Sequence, residues 1–162
     1  MGILTSKSIE LVQALYRRKV NIACIQETKW VGAKAREIDG YKLWYSSGTK
    51  VRNGVGILVE KELIDRVVEV RRKSDRIMYI KLVLGAIVLD VISVYAPQMG
   101  LTNDIKRFFG RSWKKFYKAY LGMRNFSWEE TLMDILVRRP MGILERTGVS
   151  GLELEIVEEW HF

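Results

Sequence analysis

Asn21-Ile22-Ala23-Cys24-Ile25-Gln26-Glu27-Thr28-Lys29-Trp30 is the stretch whose reading decides the fold. Residues 20–26 form a short, mostly apolar, β-rich run, which predicts a strand buried on both faces. Before it, residues 8–18 place Ile9, Val12, Leu15 and Tyr16 on one helical face, with Ser8 as the expected cap. Arg17, Arg18 and Lys19 fall where cations favour the helix dipole. A helix feeding a buried strand predicts a layered α/β domain.

Downstream, the period changes to that of strands. Residues 41–45 and 55–59 read as two strands of a hairpin, with a turn at Arg52-Asn53-Gly54. Residues 67–70 alternate before Arg71-Arg72-Lys73, a cluster expected at a solvated loop tip. Residues 77–84 and 87–95 are a second hairpin, joined at Gly85-Ala86 and ended by Pro97, which cannot donate to a ladder. Six strands are thus expected in the first hundred residues. Trp44 and Tyr45 are expected to pack under the sheet.

Composition narrows the chemistry. The chain has 162 residues, the length of one domain. A single cysteine excludes a disulfide framework and a cysteine-based zinc site. The lone histidine, His161, leaves none inside the chain for acid–base work. The longest apolar run, residues 82–95, is interrupted by Gly85 and Asp90 and is too short to span a bilayer. No charged region precedes an apolar stretch at residues 1–5, so no leader is expected. The expected compartment is intracellular. The formal charge is +8, of which +7 belongs to residues 1–100 and +1 to residues 101–162. That asymmetry suits a polyanion and equally suits a solvated basic surface. There is no internal repeat and no low-complexity tract. After Gly100, apolar and charged residues mix without a sustained period, although residues 104–116 and 128–136 admit helices.

Two residues stand at the ends of buried strands, where open α/β sheets place ligands. Glu27 offers a carboxylate to a hard cation such as Mg²⁺, or simply pairs with a neighbouring lysine. Tyr95 offers a hydroxyl to a phosphate oxygen, or is core with its hydroxyl at the rim.

The order of segments carries more than either residue. A helix, then NIACIQETKW, GYKLWY, NGVGILV and VISVYAP resembles the endonuclease/exonuclease/phosphatase superfamily, the DNase I-like proteins. The wording is most similar to endonuclease domains of plant LINE-type retrotransposons, over about residues 2–109. The resemblance implies an α/β fold, part of a four-layer DNase I-like sandwich, confined to its N-terminal half. It implies Mg²⁺-dependent phosphodiester hydrolysis, with Glu27 as metal ligand and Tyr95 on the scissile phosphate. Lys29, Lys50 and Arg52 are the basic residues expected to touch nucleic acid, DNA above all. Keeping the family role would place the protein in the nucleus.

The pattern then departs. The family's early asparagine lies ahead of the segment matched by residues 1–5. Its GDFN motif and its histidine–aspartate pair match nothing after Tyr95. The expectation is an endonuclease-type domain at 1–108, truncated and inactive. A poorly ordered, non-homologous tail follows at 109–162. Half a layered sandwich is also expected to leave one sheet face uncovered. Failing catalysis, the chain is a basic nucleic-acid-binding module or a non-functional reading frame.

The missing motif has left a trace. Joining the third base of each codon to the first two of the next, from Phe109 to Val137, permits the string WEELEEVLQSIPRDEKLFLGGDFNGHIG. That string is an amphipathic helix, a strand and the family motif in the expected order. A one-base frame disruption near Phe109, or a misplaced gene boundary, accounts for it. Sequencing the transcript across the codons of residues 108–110 is expected to show the lost or gained base. An uninterrupted frame, together with tail-derived peptides from cells, overturns this reading.

Overall fold

The computed structural model describes residues 3–28, 30–49, 53–97, 100–116, 118–119, 136–139, 142–144 and 154–157. The element order is α1 (Ile3–Arg17), β1 (Ile22–Gln26), β2 (Ala33–Ile38), β3 (Tyr41–Ser46), β4 (Val55–Glu60), α2 (Lys61–Ile64) and β5 (Val67–Arg72). Then follow β6 (Ile77–Leu84), β7 (Ile87–Val94), α3 (Asn103–Phe116), β8 (Leu136–Arg139), β9 (Gly142–Leu144) and β10 (Leu154–Val157). Two five-stranded sheets result, ordered β10-β1-β4-β3-β2 and β5-β6-β7-β8-β9. Neighbours pair antiparallel, except that β10 runs parallel to β1.

Side-chain alternation sorts the core into layers. On β1, Ile22 and Cys24 face the second sheet; on β4, Val55, Ile57 and Val59 do the same. They meet Met78, Ile80 and Leu82 of β6 and Leu89 and Val91 of β7. The opposite face of the first sheet, with Ala23, Ile25, Leu43 and Leu58, packs under Leu11, Val12 and Leu15 of α1. The opposite face of the second, with Ile77, Tyr79, Ile92 and Val94, packs under Phe109, Trp113 and Phe116 of α3. The order is therefore helix, sheet, sheet, helix. Strands buried on both faces need apolar side chains at successive positions, which is why they read as unbroken runs.

Both expected hairpins are present. Tyr41–Ser46 pairs with Val55–Glu60, and Leu84 lies opposite Ile87 across Gly85-Ala86. Trp44 and Tyr45 are buried, as expected. The remaining differences have physical causes. Helix α1 begins at Ile3, so Ser8 is a buried interior residue and not a cap. The strand β2 escaped the sequence reading because Ala33-Lys34-Ala35-Arg36-Glu37 is exposed edge with no apolar alternation. Its hairpin turns at Asp39 and Gly40, which have φ of 40° and 85°, the double positive φ that a two-residue loop requires. Arg71, Arg72 and Lys73 are exposed, as expected, but Arg71 and Arg72 close strand β5 and do not sit at a loop tip; Arg72 also reaches across to the first sheet. It donates through Nε to the Tyr45 carbonyl at 3.0 Å and through Nη2 to the Lys34 carbonyl at 3.1 Å, tying the two sheets together.

The described residues beyond 108 include the second half of α3 and three short strands, while most of 109–162, the expected tail and the expected helix at 128–136 up to residue 135 included, lies outside the described residues. The spacing 109, 113, 116 puts three aromatics on one helical side, and α3 covers the sheet face expected to be open. Strand β8 pairs with β7, and β10 with β1. Unpaired backbone along a sheet margin favours such additions.

Cys24 sits between the sheets, 2% exposed. Burial pushes its thiol up from 9.0 to about 12, and a Ser93 hydrogen bond offsets part of that. The raised value means the unfolded chain ionises first, so stability falls as pH climbs from 9 towards 12. Tyr41, also pushed up to about 12 by burial and then by Glu60, adds to the fall only above pH 10. Urea titrations at pH 9 and 10 are expected to show a smaller loss of stability in Cys24→Ala than in the parent. Equal losses in the two proteins sink this assignment.

Candidate functional site

The site is built where β1 and β7 end side by side. Gln26 closes β1 and donates through Nε2 to the Val94 carbonyl at 2.8 Å, bridging the sheets at their common end. The next residue, Glu27, has φ of 52°, a left-handed conformation that is unfavourable for a residue with a Cβ. This bend carries its half-buried carboxylate towards the second sheet, where the Tyr95 hydroxyl donates to Oε1. The two residues named from the sequence, 68 positions apart, are thus joined directly.

A chain of backbone hydrogen bonds holds the four segments together. Thr28 N–H donates to the Gly54 carbonyl at 3.3 Å, and Gly54 N–H to the Asp75 carbonyl at 3.0 Å. Tyr95 N–H donates to the Arg76 carbonyl at 2.8 Å. The turn at 53–54 suits this role because Asn53 and Gly54 both have positive φ, 59° and 102°.

Arg76 is the hub, although the sequence reading passed over it. It is 8% exposed, and its guanidinium lies 5.0 Å from the centre of the Tyr95 ring. Nη1 donates to the Tyr95 carbonyl and Nη2 to Asn53 Oδ1, each at 3.1 Å. Asn53 Nδ2 in turn donates to Asp75 Oδ2 at 2.9 Å. Burial pulls the guanidinium's pKa down, while Asp75, Tyr95 and Glu27 hold it up. An arginine starts so high that it stays charged through this opposition. A legible signal did exist: Ser74-Asp75-Arg76 places a cation at the mouth of a buried strand. Asn53 and Asp75 were legible only as turn residues.

Lys29, Lys50 and Arg52, expected to contact nucleic acid, lie outside the described residues. Among the described residues, no three His, Cys, Asp or Glu side chains converge as a metal cluster. Glu27 contributes one carboxylate, a hard oxygen donor steadied by Tyr95. Chemically, that suits a cation which takes one or two carboxylates and completes its shell with water and phosphate.

With this geometry in view, comparison with known proteins gives a partial relationship. The chain is similar to craniofacial development protein 2. It is 30% identical to the Bos taurus protein over 86 residues and 29% identical to the Tragulus javanicus protein over 86 residues. Each match takes in 52% of this chain, and only 14% and 15% of the respective relatives. No family model matches the chain. No described helix is long and apolar enough to cross a membrane.

Gly54 gives the site its sharpest steric test. A Cβ there would collide with the Thr28 hydroxyl and press on Ser47, at a backbone φ that already disfavours side chains. Gly85 shares the positive φ, at 61°, but has open space around it. Gly54→Ala is expected to cost about 3 kcal/mol of stability against about 1 kcal/mol for Gly85→Ala. Urea denaturation of both variants checks this, and equal costs would remove the close approach from the argument.

Proposed function

We propose that this chain carries a phosphodiester site of the endonuclease/exonuclease/phosphatase kind, of plant LINE-type retrotransposon origin, which binds nucleic acid without completing its cleavage. The hydrogen bond from Tyr95 to Glu27 carries the reading, because it unites the two residues that the segment order singled out. The layered sandwich and the partial likeness to craniofacial development protein 2 support it.

In this reading Glu27 holds Mg²⁺ through its carboxylate. When bound, the metal supplies positive charge against the phosphate oxygens. The Tyr95 hydroxyl has a single proton, which it donates to the Glu27 carboxylate in the free protein and would redirect to a phosphate oxygen once that carboxylate is engaged. Arg76 fixes Tyr95 through the backbone carbonyl and the ring face, so the phenol enters pre-oriented. Cleavage needs in addition a group to orient or deprotonate water. Histidine, the residue the family uses, occurs only as His161, so binding outlasts turnover in this chain. The excess of positive charge in residues 1–100 favours a polyanionic partner and makes binding salt-dependent through counterion release. The same charge favours, as the alternative, a plain basic binding module in which Glu27 has no part.

Two measurements on the full chain decide. Plasmid incubated with the protein and Mg²⁺ is expected to stay un-nicked. Nicking that vanishes in Glu27→Ala would overturn the claim of inactivity. DNA retention in a gel is expected to fall steeply with salt and to lose its Mg²⁺-dependent part in Glu27→Ala. Retention that ignores both salt and Glu27→Ala would falsify the phosphodiester site.

A further inference from the structure

Arg76 and Asn53 belong to two neighbourhoods. On one side they brace Tyr95. On the other they line a cleft of about 600 Å³ that opens between their two turns and α3. The volume is in the range of sites that enclose a small molecule.

The walls of the cleft are of two kinds. Leu101, Ile105, Phe108 and Phe109 form an apolar side. Phe108 and Ile105 are 64% and 40% exposed, an unusual outlay of apolar surface on a helix whose next turns are buried. Asn53, Ser74, Asp75 and Arg76 form a polar margin. The charges cancel: Arg76 and Arg111 stand against Asp75 and Asp104. A phosphate gains nothing from such a lining, and neither does a cation. A wholly apolar guest would bury the polar margin unpaired. The chemistry that satisfies both walls is a flat, uncharged ring system with apolar faces and a hydrogen-bonding rim.

We propose that the cleft receives an unpaired nucleobase of single-stranded nucleic acid, next to the phosphate held at Glu27 and Tyr95. The inference rests on the phosphodiester reading for its substrate and adds where a base goes. Phe108 supplies a ring face for stacking, which tolerates any base. The Asp75 carboxylate, an acceptor, favours bases carrying an exocyclic amino group. Because Arg76 and Asn53 serve both places, base and phosphate are read by one rigid unit.

The free nucleoside 2-aminopurine riboside separates this inference from the reading on which it rests, since it carries an amino group and no phosphate. Titrated with the full chain in EDTA, its fluorescence is expected to be quenched by stacking. Phe108→Ala is expected to weaken that binding about fivefold or more, and Ile105→Glu to weaken it as well. Both positions are exposed, so neither variant should impair folding. Glu27→Ala is expected to leave nucleoside binding unchanged, while weakening a 2-aminopurine oligonucleotide in Mg²⁺. Quenching that neither Phe108→Ala nor Ile105→Glu alters, or no quenching up to the solubility of the nucleoside, overturns the cleft. An oligonucleotide indifferent to Glu27→Ala, with nucleoside binding intact, faults the phosphate site and upholds the cleft.

Discussion

The buried guanidinium of Arg76 is the constraint on which the rest of the site depends. It joins the first residue after β7 to the turn before β4, and through Asn53 to its own neighbour Asp75. Removing such a group would leave the Tyr95 carbonyl and Asn53 Oδ1 short of a donor in a poorly solvated place, a loss larger than the net worth of the bonds themselves. The sheets are otherwise held by apolar contact, which is strong but does not fix direction. Directional bonds at one end of the sandwich convert a slab that could slide into a frame with a defined corner. Gln26, Arg72 and Arg76 each reach from one sheet to a carbonyl or side chain associated with the other.

That corner explains why the candidate site lies there. Glu27 and Tyr95 are contributed by different sheets, so their separation is only as fixed as the packing between the sheets. The interleaved residues of β1, β4, β6 and β7 set the gap, and the corner bonds set the register. The cleft beside α3 inherits the same precision because its polar margin is the back of the same turn network.

Much of this was legible in the sequence, and the reasons are uneven. The strands β1, β4, β6 and β7 were readable because burial on both faces demands a largely apolar run. The strand β2 was not, since an exposed edge imposes almost no pattern on Ala33–Ile38. Helix α3 read as faceless because its apolar stripe is wider than the part that is buried. Phe109, Trp113 and Phe116 lie on the sheet, while Ile105 and Phe108 extend the stripe past it. Glu27 and Tyr95 were readable from their place at strand ends. Arg76 was hidden for the opposite reason: a cation in a basic chain looks like surface until its burial is seen.

The left-handed backbone at Glu27 has a consequence for substitution there. A glycine in that position would relax the local conformation by about 1 kcal/mol while deleting the carboxylate. Backbone relaxation and the hydrogen bond to Tyr95 therefore pull against each other at a single position. A Glu27→Gly exchange would thus ease the backbone and strip the Tyr95 hydroxyl of this acceptor in one step.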